Sequence, residues 1–307
     1  MTEEFSLVDY EDEYVANKPH FAMNRAGLYP SEASVKYWLD GEEVVDGGCH
    51  RASWYRVLGV PVPGPPNVSL NMKASLGKWD EIGTTSRWKE MGIWVDNAVK
   101  FFNKELVVSG ELDAIIKNPH TGKLIGIEQK SFYNYAANKE ICGSKKDQIP
   151  GKPKMSHFLQ SAIYAWDYRN ILDEYRIYYL ERGDGHRVEF RVGFIAEDGK
   201  NRCYWEQIPG KYWSVFQPGI VKQPFYIEDI HARYKQLGEY IKTKKLPPRD
   251  YPSFWPDDKI EWLYRNKRIN KTDYEAWVKK PAKHKISSWQ CSYCNYRSQC
   301  EVDDATS

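Results

Sequence analysis

Asp113 and the run Glu128-Gln129-Lys130 bring together the residue types that hydrolyse phosphodiesters. Carboxylate oxygens suit hard divalent cations such as Mg²⁺ or Mn²⁺, which polarise a phosphate and acidify water. An ammonium beside them can orient the attacking water or offset charge on the phosphate. On a strand, side chains alternate, so Glu128 and Lys130 share one face while Ile127 and Gln129 take the other. A paired strand carrying Gly110-Glu-Leu-Asp113 can set Asp113 beside Glu128. Alone, an acid-x-Lys pattern reads as surface charge on an edge strand, so other residues must decide.

Thirty residues on, Met155 to Tyr168 carries apolar residues at helical spacing. Gln160 and Tyr164, four apart, share a face that, with His157, lies opposite the stripe through Leu159 and Ile163. Asp113, then Glu128-x-Lys130, then Gln160-x-x-x-Tyr164 resembles the RecB-like branch of the PD-(D/E)xK nucleases. The resemblance implies a restriction-endonuclease-like core and a metal-dependent deoxyribonuclease, commonly an exonuclease on single-stranded DNA ends. It implies that Asp113, Glu128 and the Gln129 backbone carbonyl hold Mg²⁺ or Mn²⁺ while Lys130 assists the hydroxide. Gln160 and Tyr164 would shape the site or hold the strand. The family's earlier helix supplies a His or an acid. Here that helix contains Gly77-Lys-Trp-Asp80-Glu81 and no His, so Glu81 is the first choice of ligand and Asp80 the reserve.

Cysteines form a second, independent pattern. Cys291, Cys294 and Cys300 make C-x2-C-x5-C, and Cys49 lies far upstream in Gly48-Cys-His-Arg. Four thiolates suit a [4Fe–4S] cluster or tetrahedral Zn²⁺, and spacing alone leaves both open. One early and three late cysteines around such a core resemble the CRISPR-associated Cas-four type exonucleases, which implies the iron–sulfur cluster, with zinc as the fallback. Cys142 and Cys203 have no partners at ligand spacing.

These residues need a scaffold, and composition allows one. The chain has 307 residues, 41% hydrophobic and 28% charged, an ordinary globular balance. No apolar run is long enough for a membrane helix, and the acidic start does not resemble a secretory signal; a cytoplasmic protein with reduced thiols is expected. Residues 1–50 carry eleven acids against three bases, whereas residues 233–300 carry sixteen bases against seven acids. That basic third suits a polyanion such as DNA. The loop with Lys145, Lys146 and Lys152, between Lys130 and Gln160, is expected to rim the cleft, with His157 beside it, and to touch DNA. No phosphate-binding G-x-x-x-x-G-K-[ST] occurs, so no ATP-driven motor is expected.

The expected fold is α/β (α+β mixed): a mixed central sheet flanked by helices. Helices are predicted over 31–39, 49–58, 70–90, 155–168 and 227–244, and strands over 106–108, 112–116, 124–128, 175–180 and 188–194. Three parts follow: an N-terminal segment 1–69 with Cys49, a nuclease core 70–240, and a basic segment 241–307 with the other cluster cysteines. The alternative is a nuclease-like module that binds DNA or protein without cutting. Recombination or CRISPR-type protein partners are a further possibility under the resemblance, and the sequence sets no oligomeric state.

Overall fold

Residues 34–47 alternate β-branched and aromatic side chains with polar ones on both sides of Asp40-Gly41, a hairpin signature. The computed structural model, which describes residues 11–15, 27–63, 68–281 and 283–306, folds them as β1 (Ser34–Leu39) and β2 (Glu42–Gly47), antiparallel. Asp40 and Gly41 both take positive φ (47° and 80°), as a tight primed turn requires. The helix predicted over 31–39 is thereby corrected. Pro30–Glu32 makes only one 3₁₀ turn, and the strand pattern wins over the helix-start signal. Part of the predicted segment 1–30 lies outside the described residues.

Helix α1 (His50–Val57) and helix α2 (Val68–Glu90) follow. Then come β3 (Trp94–Asn103), β4 (Val108–Lys117) and β5 (Leu124–Phe132), joined in antiparallel pairs. After α3 (Tyr135–Cys142) and the small ribbon β6 (Gly143–Ser144) and β7 (Ile149–Pro150), α4 (Met155–Asp167) crosses back to β8 (Glu174–Glu181). β8 pairs with β5 in parallel, and a crossover through a helix is what a parallel pair needs. β9 (Arg187–Glu197), β10 (Lys200–Gln207) and β11 (Ile220–Tyr226) extend the sheet antiparallel, giving the order β11-β10-β9-β8-β5-β4-β3. The expected mixed sheet is present; β3, β10 and β11 are additional to the strands predicted.

Helix α2 covers one face of the sheet near β4 and β5, where Trp88 packs on Ala114, Ile125 and Ile127. Helix α4 lies on the main core with Phe158, Leu159, Ala162 and Ile163 fully buried. The β1–β2 hairpin closes the same core through Val35, Tyr37 and Val44, so α4 is wedged between two β layers. That wedge corrects the amphipathic reading of α4: Tyr164, assigned to its polar edge, is 2% exposed. Leu159→Ala here would cost about 2–5 kcal/mol, since neither layer is free to collapse onto the void.

The C-terminal part is built differently. Helix α5 (Ile227–Lys242) docks on β1 and β10, after which α6 (Ile260–Arg265), α7 (Lys271–Lys279), α8 (Trp289–Ser292) and α9 (Arg297–Thr306) are short. Ile260, Leu263 and Ile286 form a small core of their own. No helix among the described residues is long and apolar enough to cross a membrane.

Candidate active site

β4 and β5 are paired from Lys117↔Leu124 to Ala114↔Ile127 and then part. One step beyond the last pair, Asp113 and Glu128 stand at the opening. Asp113 Oδ2 takes over the ladder's role, accepting the Gln129 N–H at 2.7 Å. Glu128 is fully buried, and Lys130 Nζ lies 2.5 Å from its Oε1 as an ion pair, off the angle of a hydrogen bond. Glu128 Oε2 has no hydrogen-bond partner. The strand alternation read from sequence therefore holds: Glu128 and Lys130 meet, while Gln129 turns to α2 and donates Nε2–H to the Asp80 carbonyl at 3.1 Å.

Electrostatics follow from this crowding. Burial, then the Glu128 charge, raises the Asp113 carboxyl well above its ordinary value, against the pull of Lys130 and the Gln129 N–H. Burial likewise raises Glu128, opposed by Lys130. Burial works to lower the Lys130 ammonium, but Glu128 and Asp113 hold it above its ordinary value. Two buried carboxylates with an orphaned oxygen are costly unless a cation joins them.

The two acids of α2 left open by the sequence differ in their partners. Asp80 Oδ2 is committed to Arg182 Nε at 2.7 Å, and Arg182 also bonds Ser131 Oγ. Glu81 instead adds its negative charge to Asp113 and Glu128, and is paired only at its outer side with Lys78, at 2.7 Å. Asp80, Glu81, Asp113, Gln129 and Lys130 line one cavity of about 350 Å³. Lys73, Lys78 and Arg182 complete its wall. These three bases were not singled out by sequence; helical spacing could have found Lys73, which shares a face of α2 with Gly77 and Asp80, but not Arg182, which follows β8.

Other expected residues are distributed as follows. Tyr164 holds the strand: its hydroxyl donates to the Glu111 carbonyl at 3.1 Å and accepts the Glu111 N–H at 3.2 Å. Gly110 permits this, since a Cβ there would lie 2.5 Å from the Tyr164 hydroxyl. Gln160 bonds the Tyr164 hydroxyl rather than opening on the cavity. His157 Nδ1 lies 2.9 Å from the Tyr179 hydroxyl, and burial, with Lys130 and Lys154 nearby, lowers its pKa well below 6.5. A neutral, partly buried ring offers no cation to a phosphate. Lys145, Lys146 and Lys152 are exposed on the β6–β7 loop and its exit and do not line the cavity.

The four cysteines come together elsewhere. Cys49, Cys291, Cys294 and Cys300 line a single small cavity with Arg51, Arg249 and Arg297. All four are free thiols. Cys49 stands at the N-cap of α1 with no side-chain capping hydrogen bond; burial and Asp250 push its thiol up to about 12, against the pull of the Ala52 and Arg51 N–H groups. Arg51 Nη1 lies 3.3 Å from Cys300 Sγ, and Cys291 Sγ donates to the Tyr251 carbonyl at 3.3 Å. Four sulfurs, backbone N–H donors and guanidinium groups match the donor set and charge that a thiolate-bound metal centre needs. As the side chains stand, no three His, Cys, Asp or Glu among the described residues are drawn in to metal-binding distance. Cys142 and Cys203 are buried singly in the main core.

Comparison of the chain with family models, with curated proteins and with solved structures finds no match. The functional reading therefore rests on the residues and their geometry.

Proposed function

We propose that this chain is a metal-dependent deoxyribonuclease of the RecB-like PD-(D/E)xK kind, acting on DNA ends and carrying a structural thiolate-bound cluster. The observation that carries the reading is the meeting of Asp113, Glu128 and Lys130 where β4 leaves β5, with a buried Glu128 oxygen left unpartnered. Asp113 and Glu128 would hold Mg²⁺ or Mn²⁺, with Glu81 reaching in from α2. A bound cation would supply charge neutralisation of the phosphate and acidify a water. The chain's own groups do the rest. Lys130 holds its proton and faces the phosphate, orienting the attacking water and offsetting developing negative charge. Tyr164 fixes the Glu111 peptide, two residues before Asp113, and so fixes the carboxylate's approach. Arg182 ties α2 to β5 through Asp80 and Ser131, which keeps Glu81 aimed at the site.

The four cysteines would hold a [4Fe–4S] cluster, with Zn²⁺ the fallback, in a role separate from hydrolysis. Their cavity and the carboxylate cavity share no lining residue. End-labelled single- and double-stranded DNA incubated with the protein and Mn²⁺, with and without chelator, tests the reading. Chelator-sensitive shortening from an end is expected. Intact substrate under all metal conditions, with DNA still bound, would favour a module that binds without cutting.

A further inference from the structure

A third cavity is separate from both of these. It encloses about 380 Å³ between the β1–β2 hairpin, α5 and the segment leading into α6. That is room for one nucleotide-sized ligand and far too little for a duplex. Its floor is a buried ion pair: Arg233 Nη2 lies 2.7 Å from Asp250 Oδ1, with side chains 8% and 7% exposed. Arg233 is locked from its other edges by Ser34 Oγ and Gln236 Oε1. Asp250 Oδ2 in turn accepts the His50 N–H at 2.7 Å, beside Cys49. Such a floor is polar and rigid, which excludes a purely apolar occupant such as an acyl chain.

The walls are flat. Tyr240, Tyr251, Trp255 and Trp262 line the cavity with prolines between them. Five bases line it, each already ion-paired: Lys36 and Lys259 with glutamates of β2, Arg233 with Asp250, Arg249 with Asp304 and Arg268 with Asp46, so a phosphate would enter by exchanging with a carboxylate. Flat aromatic faces with a cationic surround are the two features that hold a base and its phosphate in single-stranded nucleic acid. The four aromatic side chains lie within the segment 233–300, whose net charge is +9 from sixteen bases and seven acids.

We infer that this cavity is a second nucleic-acid site, which seats one unpaired nucleotide with its base against Trp255 and its phosphate toward Lys36 and Lys259. The site is separate from the carboxylate cavity, and its test reads binding rather than hydrolysis. Arg249 and Tyr251 line both this cavity and the cysteine cavity, so a nucleotide seated here presses on the wall of the thiolate site.

The experiment uses the full chain in chelator, so that nothing is cut, and follows tryptophan fluorescence as a short oligothymidylate is added. Quenching that saturates is expected, with affinity weakened about ten-fold or more in Trp255→Ala and several-fold in Lys259→Gln. Stacking energies of about 1–3 kcal/mol per base set that scale. Because Trp255 also packs on the small C-terminal core, a second probe keeps the test independent of folding. On the unaltered protein, an oligomer of abasic sugar-phosphate units should bind at least ten-fold more weakly than oligothymidylate. Equal binding of the two, or unchanged affinity in both folded variants, overturns the inference. Failure of the protein to cut DNA leaves this result standing and counts only against the nuclease reading.

Discussion

The carboxylate cavity and the cysteine cavity gather their groups in opposite ways. Asp113, Glu128 and Lys130 sit on two sequence-adjacent interior strands of a seven-stranded sheet, and Tyr164 pins the strand from a fully packed helix. Their positions are set by backbone register and a large core. Cys49 and Cys291, by contrast, are 242 positions apart, on an eight-residue and a four-residue helix, and the nearby C-terminal core has only three fully buried apolar residues. One site is held by the fold; under the proposed reading the other would hold the fold together. Chemistry that needs sub-ångström placement belongs on the first kind of scaffold, whereas a metal clip is most useful where packing is thin.

This contrast predicts that ligand removal has opposite effects on stability at the two sites. Asp113→Asn should lower metal-dependent cleavage by three orders of magnitude or more. The same change should raise the melting temperature in chelator by a few degrees, because it removes one of two like charges confined in a buried site. Cys294→Ala should do the reverse. A shared metal closes a loop of about 240 residues, and its loss should cost on the order of 5 kcal/mol by analogy with a long disulfide loop. The variant should be colourless, less stable and impaired in DNA binding, while residual cleavage still requires Mg²⁺ or Mn²⁺. Anaerobically purified unaltered protein should contain iron and absorb broadly near ~400 nm, as expected of thiolate-bound iron–sulfur. Stoichiometric zinc without iron would replace the cluster with its fallback, and four alkylatable thiols in folded protein would remove both.

A smaller effect separates the cavity wall from the loop. Lys73→Ala with Lys78→Ala should lessen the salt dependence of single-stranded DNA binding by about 1.4 in slope, the counterion release of two phosphate contacts. The triple change at Lys145, Lys146 and Lys152 should leave that slope nearly unchanged, since those side chains do not line the cavity. A slope carried by the loop instead would move the DNA path across β6 and β7.

The smallest effect is a pH dependence. Burial keeps His157 neutral, with a folded pKa well below 6.5. Its contribution to stability is fully present above about pH 6.5 and is lost as pH falls from there toward the folded value, because the unfolded chain then binds the extra proton. Urea midpoints compared at pH 7.5 and 5.5 should fall less in His157→Gln than in the unaltered protein.

How much of this was legible depends on what kind of interaction sets each feature. Asp113 and Glu128-x-Lys130 were readable because strand alternation is local and period two is rigid. The helices at 50–57, 68–90, 155–167 and 227–242 were readable from local periodicity for the same reason. Ser34–Leu39 was misread because Pro30-Ser31-Glu32 signals a helix start, and the Asp40-Gly41 turn that competes with it was given no weight. Tyr164 was set opposite the apolar stripe because no local pattern reveals that β3 and β4, with Phe101 and Glu111 more than fifty residues earlier, cover that side of α4. The sequence put Glu81 before Asp80, but the pairing of Asp80 with Arg182, about a hundred residues away, could not be read from it. Long-range pairing of that sort leaves no trace in spacing.

The central claim is that Glu128 serves a hydrolytic metal. Single-turnover digestion of end-labelled single-stranded DNA in Mn²⁺, by unaltered protein and by Glu128→Ala matched for circular dichroism and DNA affinity, tests it directly. The account predicts rapid chelator-sensitive cleavage by the first and a rate lower by at least about a thousand-fold in the second, since losing the ligand removes charge neutralisation and water activation together. Equal rates in the two proteins would contradict it.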